Sequence, residues 1–357
     1  MPAENQSQNL DASLAGAVPP EWDEAVERLA EDPGTVLVLG ASDTGKSTFV
    51  RLLLQRLGAR TGVGLVDTDV GQSTLGPPGC VALARLSPRR KTVELSRVQP
   101  EAMAFARTLS PGSDPLGFFL AVQRIARRAA GFRLRHLVVD TTGFIQGDLA
   151  VELKLAKVEW FRPRWIVALQ RGGELEPVLS RLPEGEARTV RLPVPRQVKR
   201  RSRELRRAYR EERWSAYFAG SRELEIGVSR LPFRNFWFGG GIPLEEPERL
   251  RLERELDCPV LYGERQREGV FLVTDGFCRQ DVAFWRGFSG EALRLFPARR
   301  LLESILAFVR KDGLTEALGI FLDFNPQRRT FRVQTPLKSL ESVAWIEMGN
   351  FAFRPFP

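Results

Sequence analysis

The chain has 357 residues, 43% of them hydrophobic, with 53 Lys and Arg against 44 Asp and Glu, a formal charge of +9 and a pI near 10.0. This length suggests two or three domains, and this charge favours an anionic partner, nucleic acid first. Three scattered cysteines (Cys80, Cys258, Cys278) and one histidine, His136, argue against a disulfide framework, a zinc cluster and multi-histidine metal chemistry, and they fit a reducing cytoplasm.

Residues 1 to about 20 are polar and small and end in proline, the composition of a disordered segment. They lack the basic flank and apolar core of a signal peptide, and no apolar run is long enough to span a bilayer. Residues 21–32 read as a short amphipathic helix with Trp22, Val26 and Leu29 on one side. Apolar runs at 35–39, 63–66, 136–139 and 165–169 then alternate with helical patterns at 46–57, about 116–130 and about 149–160. Strands without polar alternation, separated by helices, predict an α/β fold with a mostly parallel sheet covered by helices.

Between Arg196 and Arg213 the chain carries nine Lys or Arg against three Glu, with a thin apolar seam of Val198, Leu205, Tyr209 and Ala216. A solvated charged helix is the plain reading of such a run. The one-sided charge and the place in the chain favour a phosphate-facing helical lid at about 196–220. From about 231 the texture changes to a Gly-rich turn and short strand-like pieces, with a helix expected at 298–313. The expected division is therefore 1–34 (disordered N-terminus and short helix), 35–230 (nucleotide domain with lid) and 231–357 (smaller β-rich domain).

Gly40-Ala-Ser-Asp-Thr-Gly45-Lys46-Ser47 matches the phosphate-binding pattern G-x-x-x-x-G-K-[ST], with a strand before it and an amphipathic helix after it. Its glycines let backbone N–H groups aim at phosphates, and the helix N-terminus adds partial positive charge. The nucleotide contacts expected are Gly40, Ser42, Asp43, Thr44, Gly45, Lys46, Ser47 and Thr48. Lys46 would reach the β and γ phosphates, and the Ser47 hydroxyl would bind Mg²⁺. A second strand ends in Asp67-Thr-Asp69-Val-Gly71-Gln72, where carboxylates can hold a metal-bound water or take a proton from a nucleophile. A third ends in Asp140-Thr-Thr142-Gly143-Phe144. Asp140 occupies the place of an acidic Mg²⁺ ligand, Thr142 and Gly143 could grip a phosphate or substrate end, and Phe144 offers a stacking ring. No Asn-Lys-x-Asp follows the strand at 165–169, which points away from guanine and towards ATP or relaxed nucleotide use.

Taken together, these pieces resemble the polynucleotide 5′-hydroxyl kinase family of P-loop proteins. The resemblance rests on the GASDTGKST loop, Asp69-Val-Gly-Gln72 with Pro-Gly shortly after, Thr142-Gly143-Phe144, and the Arg-rich segment ending in Tyr217-Phe-Ala-Gly220. It covers about 35–230 and extends more weakly into the β-rich end. It implies ATP- and Mg²⁺-dependent transfer of the γ-phosphate to 5′-hydroxyl ends of RNA, DNA or both. By that resemblance Asp69 orients or deprotonates the hydroxyl and touches the Mg²⁺ shell, with Gln72 nearby. Thr142 and Gly143 belong to a clasp on the terminal nucleotide. An R-x-x-x-R pair stabilises the migrating phosphoryl group, a spacing met by Arg206 and Arg210 and equally by Arg203 and Arg207. The family often has Trp where Phe144 stands and Asn where Asp140 stands. A kinase-like assembly factor that holds ATP with little turnover is the alternative. A nucleotide switch or metallochaperone-type NTPase is a third reading, against which the basic lid and the lack of a Cys or His cluster both argue. A small-molecule kinase is also open, though no sugar- or base-specific pocket is legible.

Overall fold

The computed structural model describes residues 18–58, 62–86, 95–198, 200–276, 285–286 and 292–353. Residues 1–17 of the segment expected to be disordered, and Cys278, lie outside the described residues. The chain divides into two compact units, Met1–Arg213 and Trp214–Pro357.

The first unit runs α1 (Pro20–Glu31), β1 (Gly34–Gly40), α2 (Lys46–Gly58), β2 (Val63–Asp67), β3 (Cys80–Leu86), β4 (Ala102–Phe105), α3 (Pro115–Ala130), β5 (His136–Asp140), α4 (Asp148–Phe161), β6 (Trp165–Gln170), α5 (Glu176–Leu179) and β7 (Arg188–Pro193), and leads into α6 (Arg203–Phe218). Its seven strands form one sheet in the order β4-β3-β2-β5-β1-β6-β7. Five of them are parallel, while β3 runs against β2 and β4 against β3. Val36 and Val38 of β1 face a core shared with Trp22, Leu29, Phe49 and Leu53 of α1 and α2. Leu37 and Leu39 are equally buried on the opposite face, so β1 is apolar throughout because both faces are covered.

The register fixes the chemistry. Asp67 of β2 stands beside Asp140 of β5, and Asp140 stands beside Val38 of β1, two residues before the phosphate loop begins. The chain leaves β1 to build β2 on one side, with β5 later filling the space between, and builds β6 on the other. The loops at these carboxyl ends therefore surround a crevice, the usual ligand place in such sheets.

The second unit is β-rich. β8 (Arg222–Gly227), β14 (Ser304–Arg310), β15 (Thr315–Asn325), β16 (Thr330–Thr335) and β17 (Val343–Ala352) form one antiparallel sheet in the order β17-β14-β15-β16-β8. β9 (Ile242–Pro243), β10 (Val260–Gln266), β11 (Gly269–Thr274), β12 (Trp285–Arg286) and β13 (Ala292–Pro297) form the other, with α7 (Glu246–Leu256) between β9 and β10. The sequence pattern carries the first domain to 230, whereas β8 pairs with β16 and lies in the second unit. The helix expected at 298–313 is corrected: a single 3₁₀ turn at Ala298–Arg300 is followed by β14, the strand between β15 and β17. Ile305 to Val309 are all buried, so the period-2 signature of a strand is missing and its Leu- and Ala-rich composition reads as helix. Among the described residues no helix is long and apolar enough to cross a membrane.

Candidate active site

The loop between β1 and α2 is held from several sides. Asp43 (φ 56°) and Gly45 (φ 90°) both take the left-handed conformation that turns the chain around a phosphate-sized hollow. Trp22 of α1 packs edge-on to Phe49 at 5.3 Å and donates its indole N–H to Pro193 O at 2.9 Å. A Cβ on Gly45 would come within 2.9 Å of that indole, so α1 backs the loop directly. Lys46 Nζ and Thr44 Oγ1 both donate to Ala41 O, at 2.6 and 2.9 Å. Burial lowers the Lys46 ammonium from its ordinary value, opposed by the negative charges of Asp140, Asp69 and Asp43.

Ser47 Oγ donates to Asp140 Oδ2 at 3.1 Å, so a hydroxyl and a carboxylate from different elements lie side by side under the loop. Asp140 is pushed up to about 7, first by burial and then by the charge of Asp67, with Lys46 opposing. Asp67 is raised to about 6 by burial and by Asp69. Crowded, buried carboxylates of this kind favour either a proton or a cation beside them.

The two aspartates after β2 divide the work. Asp67 is 1% exposed and is spent on structure: it accepts from the Asp69 N–H at 2.9 Å, the Thr74 N–H at 2.6 Å and the Leu75 N–H at 3.0 Å. It thereby ties the loop that follows. Asp69 is half-buried, and its Oδ1 accepts from the Gly71 and Gln72 N–H groups, both at 3.1 Å. Oδ2 has no hydrogen-bond partner among the described residues.

The third predicted group is split by the structure. Thr142 is buried, and its carbonyl accepts from Lys154 Nζ at 2.6 Å while its hydroxyl lies 3.4 Å from the same amine. Gly143 leans on the phosphate loop: a Cβ there would fall 2.3 Å from Ser42 Oγ and 2.5 Å from Ser42 N. Phe144 is half-buried, with its ring 3.6 Å from the Cβ position of Gly112 in the loop after β4. The same loop closes on Gly71, whose Cβ position is 2.9 Å from Leu109 O. Asp69, Gly71, Gly112 and Phe144 thus border one side of the crevice.

α6 settles which arginines face inward. Arg206 Nη2 pairs with Asp43 Oδ2 at 2.5 Å, and its carbonyl accepts from Gln72 Nε2 at 3.2 Å. Tyr209 donates its hydroxyl to Ser73 O at 2.9 Å, and Arg213 reaches Gly76 O at 2.6 Å. Arg210 is half-buried on the same face, while Arg203 and Arg207 are exposed and Arg207 pairs with Glu211. Spacing alone left both arginine pairs open; the anchor of Tyr209 on Ser73 sets the rotation of the helix.

Sequence reasoning missed Lys154 and Lys157, each 1% exposed on the inner face of α4. Lys157 lies over the Phe118 ring at 4.5 Å, and its Nζ has no hydrogen-bond partner. A signal was present: Val151, Lys154, Val158 and Phe161 recur at helical spacing, which puts a lysine in an apolar stripe.

Similarity to known proteins follows the same parts. The profile of the mRNA cleavage and polyadenylation factor CLP1 P-loop family matches residues 40–220. The polyribonucleotide 5′-hydroxyl-kinase of Pyrococcus horikoshii is 30% identical over 96% of this chain and 93% of its own length. Clp1 of Xenopus tropicalis, also named as a polyribonucleotide 5′-hydroxyl-kinase, is 31% identical over 55% of this chain and 46% of its own. In fold, the chain is similar to the solved Clp1p–Pcf11p complex, with a TM-score of 0.61, 13% identity and coverage of 92% of this chain and 79% of that one. A profile that starts at the first glycine of the phosphate loop and stops just past the arginine-rich helix takes in half of this chain, which belongs to the family it describes, the mRNA cleavage and polyadenylation factor CLP1 P-loop family.

Proposed function

We propose that this chain is a kinase that transfers the γ-phosphate of ATP to the 5′-hydroxyl ends of polynucleotides, RNA, DNA or both. The observation that carries this reading is the state of Asp69. Its Oδ1 is fixed by two backbone N–H groups, which leaves Oδ2 as an acceptor at the edge of the crevice that holds Lys46. A nucleotide-binding scaffold has no use for such a carboxylate. The names of the archaeal relatives support the same activity.

Phosphoryl transfer is mostly positioning and charge neutralisation. The loop N–H groups and Lys46 hold the β and γ phosphates, Lys46 exchanging its bond to Ala41 O for phosphate oxygen. Arg206 does the same from Asp43, and Arg210 on the same face adds a second guanidinium to the migrating group. Asp69 Oδ2 accepts the hydroxyl proton as the oxygen attacks phosphorus in line with the departing ADP oxygen. Phe144 offers its ring to the terminal base, and Gln72 sits between Asp69 and the lid. Ser47 and Asp140 fit Mg²⁺: they are hard oxygen donors already adjacent, and this ion needs only one or two protein oxygens beside phosphate. Asp69 is the third oxygen donor in reach of that charge cluster. Such an ion would neutralise negative charge on the phosphates during transfer.

The test is incubation of the pure chain with γ-labelled ATP, Mg²⁺ and a 5′-hydroxyl oligoribonucleotide beside its deoxy twin. Label on the 5′ end, lost in Lys46→Ala, is expected, and the two sugars reveal the preference. Tight ATP and oligonucleotide binding with no label would replace this reading by that of an assembly factor.

A further inference from the structure

Between Asp114 and Asp140 the chain has no acidic residue, yet it carries five arginines, Arg124, Arg127, Arg128, Arg133 and Arg135. Several surface arginines elsewhere are neutralised by acids at close range: Arg164 and Arg188 on Asp32, Arg191 on Glu176, Arg207 on Glu211, Arg332 on Asp323 and Glu223. Arg127, Arg128, Arg133 and Arg135 are exposed, and none of them forms an ion pair with a described residue. A high arginine content alone would not separate this stretch from the rest.

Local structure gathers these charges. Arg124, Arg127 and Arg128 fall at i, i+3 and i+4 on the last turns of α3, whose other face packs Ile125, Ala126 and Ala129 into the protein. Arg133 and Arg135 alternate around Leu134 as the chain extends into β5. Between the two sets lies Phe132, half-buried, with the guanidinium of Arg128 at 4.7 Å and that of Arg85 at 4.6 Å from its ring. Arg85 in turn engages both carboxylate oxygens of Glu101, so that acid is already occupied. The preference of helix C-termini for basic residues accounts for Arg127 and Arg128. It does not account for Arg133 and Arg135, which lie beyond the helix.

This patch lies at the amino end of β5, whereas Asp140 and the crevice lie at its carboxyl end. Four residue steps of strand separate His136 from Asp140, about 13 Å. A mononucleotide acceptor held at Asp69 cannot reach it, while a chain of several nucleotides can.

We propose that the arginines around Phe132 form a second contact for the phosphodiester backbone of the acceptor polynucleotide, downstream of the 5′ end that the crevice holds. This rests on the kinase reading for the choice of occupant. Exposed guanidiniums without an acidic partner, as at Arg127, Arg128, Arg133 and Arg135, are the footprint of backbone binding, which releases counterions and carries no sequence preference. The site sets a length dependence: long acceptors engage both regions and short ones only the crevice.

The test compares binding of 5′-hydroxyl oligouridylates of about 2 and about 24 nucleotides across a salt series, with the wild type and the triple variant Arg127→Gln, Arg133→Gln, Arg135→Gln. Expected is about tenfold weaker binding of the long oligomer by the variant at about 0.1 M salt, with a log–log salt slope shallower by about 2, three contacts at about 0.7 each. Binding and phosphorylation of the short oligomer stay unchanged, which also reports that the variant is folded. Unchanged affinity for the long oligomer overturns the proposal and leaves the patch to an acidic protein surface. Loss of long-oligomer affinity in the variant, where the wild type phosphorylates neither oligomer, supports the patch and overturns the kinase reading instead.

Discussion

Gly143 is held between two demands: it follows the end of β5, and it lies against the backbone of Ser42. A methyl group at 2.3 Å from Ser42 Oγ has nowhere to go without moving the phosphate loop. Gly143→Ala is therefore expected to weaken ATP binding by about 1–3 kcal/mol, roughly 5- to 150-fold, with little change in the affinity for oligonucleotide. Titration calorimetry with each ligand checks this; a loss confined to oligonucleotide would instead make Gly143 part of the acceptor clasp. At this scale the phosphate loop was legible because its function resides in local backbone conformations that glycine spacing dictates. The residues alone did not separate Asp67 from Asp69, though the resemblance singled out Asp69, since two carboxylates two residues apart look alike until Thr74 and Leu75 fold back onto the first. Lys154 stood out only by its place in an apolar stripe; its partners at Thr141 and Thr142 lie on another element and were not legible.

Among the elements, α6 makes the sharpest statement. Arg206 and Arg207 are neighbours in sequence but face opposite ways, one paired with Asp43 of the phosphate loop and the other with Glu211 on the surface. Arg206→Ala is expected to lower kcat by about 10²–10³, the usual cost of losing one preorganised donor. Arg207→Ala removes an exposed pair and should change stability by less than about 0.5 kcal/mol and kcat hardly at all. Steady-state kinetics on the two variants decide, and equal effects would mean a different rotation of the helix. α4 supports a prediction of another kind. Burial lowers the Lys157 amine to about 7, well under its unfolded value of about 10.4. Between these values the unfolded chain binds more protons than the folded one, so stability rises with pH across that window. Lys157→Met should add about 1–3 kcal/mol at pH 7, by removing an unpartnered buried amine, and should flatten part of the rise towards pH 9. Urea unfolding at the two pH values checks it; an unchanged slope would place the titration elsewhere. The parallel strands were legible as uninterrupted apolar runs. β14 was not, because a strand buried along both faces and rich in Leu and Ala shows neither period.

For the whole molecule, charge and topology converge on one task. The net charge of +9 is concentrated where it can meet phosphate, on the lid and on the arginine patch around Phe132. Polynucleotide binding should therefore weaken steeply with salt, by about 0.7 log units of affinity per log unit of salt for each backbone phosphate neutralised on a single strand. A flat response in a salt titration would contradict a polynucleotide substrate. β8 finds its partner β16 about a hundred residues later, a pairing that the local texture of the sequence does not carry. The account as a whole depends on one group placed by that architecture. The most direct measurement is single-turnover transfer from saturating γ-labelled ATP to a saturating 5′-hydroxyl oligonucleotide, by the wild type and by Asp69→Asn. The account predicts a rate lower by about 10²–10⁴ in the variant with ATP affinity unchanged, as expected for loss of a general base. A variant that transfers phosphate as fast as the wild type would contradict it.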